Sequence, residues 1–264
     1  MDAPIAKKLL RYVGSDFFIE IAKQRKPGHS GIHHVGRNPS VSTSIFDTIW
    51  TEGGGYVYPS NASTLTVSAS SANDAGGGTG ARTVEIKGPD AEFSAITETV
   101  STNASTAVTT ANSYSRVRSL KVITAGASAA NSGNVYIGNG AVTAGKPVNV
   151  YAAIIPGNNI SLQLVYTIPK GKSGLVLDLT ASSSSSKEVL VEIRVRPPNQ
   201  VFSVADTLQV FQAQVGHAPN IPEVLPSKTD IDVRAKITSG ASDAVSGHLE
   251  ILLIDNELID NLID

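Results

Sequence analysis

Apolar residues occupy every second position in many short runs of this chain, and that alternation limits the possible folds more than any other feature. Val189, Val191, Ile193 and Val195 alternate with Glu192, Arg194 and Arg196. Leu175, Leu177 and Leu179 alternate across Val176 and Asp178, and Ile231, Val233, Ala235 and Ile237 alternate with Asp232, Arg234 and Lys236. A period of two puts one face of a strand in a core and the other in water, the habit of antiparallel sheets. Similar runs lie at 64–70, 82–88, 95–101, 115–125, 134–140, 161–169 and 248–255. Turn chemistry separates them: Asn139-Gly140 reads as a two-residue hairpin, Pro169-Lys170-Gly171 and Pro197-Pro198-Asn199 as turns, and 182–186 as a Ser-rich loop. The expectation is an all-β fold, an antiparallel β-sandwich of jelly-roll or Greek-key type, in one or two packed domains.

Composition narrows the function classes. Charged residues make up 17% of the 264, against about 25% in an average soluble domain. There is no cysteine, which excludes a disulfide scaffold and a thiol nucleophile. A net charge of −2 offers no footprint for phosphates, so no nucleic-acid partner is expected. No apolar run is long enough to cross a bilayer as a helix, so no membrane partner is expected either.

The first 44 residues differ from the rest. They hold seven basic residues against three acidic ones, a balance of +4. Ile5, Leu9, Leu10, Val13, Phe17, Phe18 and Ile21 recur at spacings of three and four, which predicts an amphipathic helix from Pro4 to about Lys23. Pro27-Gly28 ends it, and the following Gly, His, Asn and Pro residues read as an extended arm. The organisation expected is therefore a helix and docking arm over 1–44, sandwich regions over 45–146 and 147–255, and an acidic tail over 256–264. Gly145-Lys146-Pro147 marks either a boundary between two sandwiches or a crossover inside one.

No constellation suited to catalysis emerges. His29, His33 and His34 lack a neighbouring Cys, Asp or Glu to complete a zinc shell. Asp230 and Asp232 share a strand face, but Lys228 and Arg234 beside them suggest an ordinary solvated surface. The glycine runs at 53–55 and 76–80 are not followed by Lys-Ser/Thr or by a helical pattern. Trp50, in an FDTIW run, is more simply a buried residue than a sugar platform. No enzymatic activity, cofactor or metal is expected. The last 15 residues contain five carboxylates and no Lys or Arg, which suits either a solubilising tail or a docking segment for a basic surface.

A family resemblance rests on a succession of motifs. These are GRNP at 36–39, FDTIW at 46–50, GGGY at 53–56, TLTVSAS at 64–70, DAGGGTGARTV at 74–84, ITETV at 96–100, VYTIPKG at 165–171, KTDIDVRA at 228–235 and a closing LEILLI. In that order they resemble virion structural proteins of tailed bacteriophages, over roughly residues 36–255. The resemblance implies a non-enzymatic virion component: a capsid decoration or cement protein bound to the major capsid protein, or a part of the tail, neck or baseplate. It also implies a homotrimer and localisation in the virion after assembly in the host cytoplasm. The candidate docking residues are Lys7, Lys8, Arg11, Phe17, Phe18, Ile21, Arg37 and Asn38.

Overall fold

The computed structural model describes residues 17–185, 187–211 and 214–260. Every strand ladder in it is antiparallel, and the strands form four sheets that pack as two sandwiches.

The first sandwich is contained in residues 63–154. One sheet runs in the order β6 (Val108–Tyr114), β3 (Ser63–Ala69), β8 (Val135–Thr143), β9 (Lys146–Ile154). The facing sheet runs β5 (Ala95–Ser101), β4 (Ala81–Pro89), β7 (Ser119–Ala125). Leu65, Val67, Val84, Ile86, Leu120, Ile137 and Ile154 fill the space between, all fully buried.

The second sandwich takes its strands from both ends of the chain. Its outer sheet is ordered β1 (His29–Val41), β17 (Asp243–Asp255), β11 (Lys172–Ser183), β14 (Gln214–His217), with β15 (Val224–Leu225) also on β11. Its inner sheet is ordered β10 (Val165–Thr167), β16 (Asp230–Ile237), β12 (Glu188–Arg196), β13 (Ser203–Phe211), with β2 (Asp47–Thr48) also on β16. The chain passes between these two sheets at β1–β2, β10–β11, β11–β12, β13–β14, β15–β16 and β16–β17, the Greek-key habit that buries both inner faces at once. The alternating positions 189, 191, 193, 195 and 231, 233, 235, 237 supply the core, with Leu249 and Ile251 facing them.

Four segments depart from their sequence reading. In the 175–179 run a bulge between Val176 and Asp178 turns Val176 to the core and leaves Leu175 and Leu177 only partly buried. The stretch expected as an extended arm is extended, but it is β1, paired with β17 from His29↔Ile254 to Val41↔Asp243. Its few apolar residues hide the strand, because only one edge is bonded and the residues that matter are small. A Cβ on Gly36 would come within 2.5 Å of both the Ile49 carbonyl and Leu164, so glycine is what lets β1 cross that segment closely. The proposed boundary at Gly145-Lys146-Pro147 falls in the β8–β9 hairpin, and the chain changes core after Ile154 instead. The turn of that hairpin is Ala144-Gly145, both at positive φ (48° and 82°) as a mirror-type turn requires. Asn139-Gly140, expected to be the turn, lies inside β8 at a register shift.

Of the predicted N-terminal helix, residues 17–22 are described and are helical; the rest lies outside the described residues. Of the loop expected at 182–186, Ser182 and Ser183 belong to β11, and the Ser183, Ser184 and Ser185 hydroxyls all donate to Asp243.

Candidate functional site

The expected docking residues divide into three groups. Lys7, Lys8 and Arg11 lie outside the described residues. Phe17, Phe18 and Ile21 sit on the helical turn that precedes β1: Ile21 is buried, whereas Phe18 is 52% and Ile19 46% exposed. Leu177 and Leu252 of the outer sheet share a shallow depression with Phe18 and Ile21. Phe17 stacks edge-on against Phe18 and His29, and Lys26 lies over its ring. Arg37 is exposed on β1, but Asn38 is fully buried, donating to the Thr48 carbonyl while its own oxygen accepts from the Ser40 amide. Asn38 therefore ties β1 to β2 and is not available for docking.

The histidines occupy both faces of the outer sheet. His33 approaches Glu250 at 3.5 Å and His248 meets Asp178 at 3.1 Å, paired across strands on the solvent side. His34 points the other way, toward Tyr166, and burial together with the positive charge of Arg118 pushes its pKa down to about 4. Among the described residues no group of three or more His, Asp or Glu stands close enough to hold a metal ion.

The largest departure from the sequence concerns Asp230 and Asp232. Both point away from the core-facing residues of β16, as their spacing requires, yet they are 3% and 0% exposed. The face read as solvated is covered by the 48–58 segment and by Arg116 of the first sandwich. Asp230 accepts two hydrogen bonds from Arg116 at 2.9 Å each, two from Arg196 at 3.1 and 2.6 Å, and one from Thr167 at 2.6 Å. Burial alone would raise its pKa, but these bonds and the Arg116 charge outweigh burial and lower it. Asp232 takes bonds only from Thr48 and Arg234, and there burial prevails and raises the pKa. The charges flanking these aspartates were visible in the sequence, but the Arg116 that pairs with Asp230 lies 114 positions away, and no local pattern announces it.

Arg116 also donates to the Pro59 and Ser115 carbonyls, so one guanidinium joins both sandwiches and the segment between β2 and β3. Around it Trp50, Tyr56 and Val165 form a small third core. Trp50 is 6% exposed and its indole N–H donates to the Gly53 carbonyl, which leaves no sugar platform at that position. Tyr56 donates to the Tyr151 carbonyl and Tyr58 to the Ile231 carbonyl, one tie to each sandwich.

Beside this knot the surface opens into a cleft of about 580 Å³. Arg116, Arg196 and Lys228 line it, together with Asp230, Tyr58 and Phe93.

No family model matches this sequence, and no curated protein matches it. Two solved structures, those of the Gt and Gx strains of infectious bursal disease virus, align with it at 9% and 10% identity. The alignments cover 85% and 86% of this chain and 70% and 71% of those chains, with TM-scores of 0.23 and 0.24. Likeness at that level carries no argument about what the chain does.

Proposed function

We propose that the chain is a non-enzymatic structural protein of a tailed-phage virion that decorates or cements the head by binding the lattice of the major capsid protein. The observation that carries the reading is the helical turn at 17–22. Ile21 fastens it to the protein's own outer sheet while Phe18 and Ile19 remain exposed beside it. A rigid sandwich thus presents two large apolar side chains at the point where the basic residues Lys7, Lys8 and Arg11 approach in sequence. Repetition over a lattice turns such a modest patch into firm attachment through multivalency. The motif succession, which resembles that of phage virion proteins, supports the same reading and implies a homotrimer.

The test is co-sedimentation with purified capsids. Deleting residues 1–16, or changing Phe18 and Ile19 to Ser, is expected to abolish binding while leaving the thermal midpoint of the sandwich unchanged. Undiminished binding by both variants refutes docking through the N-terminal segment. A deletion reaching residue 35 is unsuitable because it removes half of β1.

A second reading, as a tail, neck or baseplate component, draws on two large apolar residues exposed on separate loops of the second sandwich, Val201 (83%) after β12 and Ile221 (89%) after β14. Copy number per virion separates the two: hundreds of copies fit head decoration, six or twelve the tail.

A further inference from the structure

We propose that the cleft bounded by Arg116, Arg196, Lys228, Tyr58 and Phe93 receives the acidic C-terminal segment of a second copy of this chain, through Lys228 and the unused donors of Arg196. The idea deepens the oligomeric part of the proposed function, because it supplies the contact that the homotrimer lacks.

Three observations carry it. The first is charge. Three cations line the cleft against the single carboxylate of Asp230. Arg116 is nearly saturated by Asp230, Pro59 and Ser115. Arg196 uses only Nε and Nη2, leaving Nη1 for another acceptor. Lys228 lies 5.3 Å from the Phe93 ring centroid and is in no ion pair among the described residues.

The second is backbone strain. Phe93, Asn199 and Lys228 have φ of 66°, 62° and 67°, and all three line this one cleft. Non-glycine residues hold the left-handed conformation only where their surroundings impose it, and such positions gather at ligand clamps. Here the Lys228 amide is fixed to the Ile168 carbonyl and the Phe93 carbonyl to the Lys170 amide. Two different loops are thereby held in costly conformations at this rim, and Asn199, of a type that takes up this conformation readily, adds a third turn to it.

The third is the chemistry and direction of the acidic segment. The turn Asn256–Asp260 carries Glu257, exposed, and belongs to the stretch from Glu250 onward that has no Lys or Arg. Asn256 bonds Ser227, next to Lys228, but Leu258 sits against Gly28, on the β1 side of β17 and away from the cleft. Within one copy this turn leads away from its own cleft and leaves the Glu257 carboxylate exposed, where a neighbour's cleft can meet it. A contact between two different surfaces is heterologous, and where its rotation closes it builds a ring such as a trimer.

Light scattering of the full chain across a concentration series tests this. The wild type is expected to self-associate, and more weakly at about 0.5 M salt, where exposed charges are screened. Lys228→Glu, and separately the pair Glu257→Lys with Asp260→Lys, should each weaken association about tenfold or more, and combining them should restore it. Lys228→Gly distinguishes an interface role from a structural one. It relieves a positive φ and should raise the thermal midpoint while still lowering association. A wild type that stays monomeric at every concentration, an oligomer indifferent to Lys228→Glu and Lys228→Gly, or no restoration in the combined variant overturns the proposal. Capsid co-sedimentation of Lys228→Glu separates it from the docking reading: lattice binding lost in the 1–16 deletion but merely weakened here leaves the N-terminal assignment standing.

Discussion

Asp230→Asn is the sharpest test of how the two sandwiches are held together. The substitution keeps the shape of the side chain and removes its charge. One acceptor oxygen becomes an NH2 that faces the donors of Arg116 or Arg196, so at least one guanidinium loses its partner. The Arg116 side chain is 14% exposed and Asp230 4%, so solvent replaces little of what is lost. Removing one member of a buried ion pair costs about 3–5 kcal/mol, because the remaining charge stays buried and uncompensated. With a urea m-value of about 3 kcal/mol/M, the unfolding midpoint should fall by roughly 1–1.7 M. Trp50, the single tryptophan, is buried in the same layer, so its fluorescence reports the transition there directly. The lowered pKa of Asp230 has a defined sign. A carboxylate depressed in the folded state stabilises the protein above its unfolded pKa, and that contribution disappears as pH falls through the folded value. The variant should therefore also flatten the acid limb of the stability profile. Adding Arg116→Met should recover part of the loss, since an apolar residue leaves no orphaned charge. A midpoint shift corresponding to less than about 1 kcal/mol would refute the reasoning, since breaking a buried pair costs several times that.

Asp232→Asn should behave oppositely. Burial already favours the protonated form there, so neutralising it should change stability at pH 7 by less than about 1 kcal/mol in the same denaturation assay. Asp74→Ala removes a fully buried carboxylate that accepts from the Ala81, Ser132 and Gly133 amides. Leaving three buried N–H groups without an acceptor should cost about 3 kcal/mol or more, read as a lower thermal midpoint. His34, with its pKa pushed down to about 4, should make the protein progressively less stable as pH falls from about 6.5 toward 4, because only the unfolded chain takes up the proton readily over that range. His34→Gln should reduce that slope in a melting series.

Much of the fold was legible because alternation survives wherever a strand has one wet face. The runs at 189–195 and 231–237 and most of the earlier ones are strands with the buried positions their period assigns. What was not legible depends on partners distant in sequence. β1 lacks an apolar stripe because it lies at a sheet edge and meets the body through Gly36 and Asn38, residues whose fit is set by Ile49, Leu164 and Thr48. The type of hairpin at Ala144-Gly145 was hidden because an alanine occupies a position that Asn or Asp usually marks. The charged face of β16 misled for a related reason. Charge at every second position normally signals water, and here it signals counter-ions brought from the other sandwich.

In the second sandwich the β1, β2 and β10–β17 strands come from both ends of the sequence, with the first sandwich inserted between them, so two crossings of the chain must be held in register near residues 50–60 and 155–165. Apolar contact there is limited to Trp50, Tyr56 and Val165 with their neighbours. Hydrophobic packing is non-directional and tolerates sliding, whereas bidentate Arg–carboxylate pairing fixes both distance and angle. The Asp230 knot places Arg116 of one sandwich on both carboxylate oxygens and Arg196 of the other on Oδ2 alone, so this carboxylate is the directional tie between the units, beside the Tyr56, Tyr58 and Phe93–Lys170 hydrogen bonds. The direct consequence is that Asp230→Asn should loosen the joint before it unfolds either unit. Protease cleavage near residues 50–60 should then rise in conditions where far-UV circular dichroism remains native, and equal cleavage of variant and wild type would assign the joint to the aromatic cluster instead.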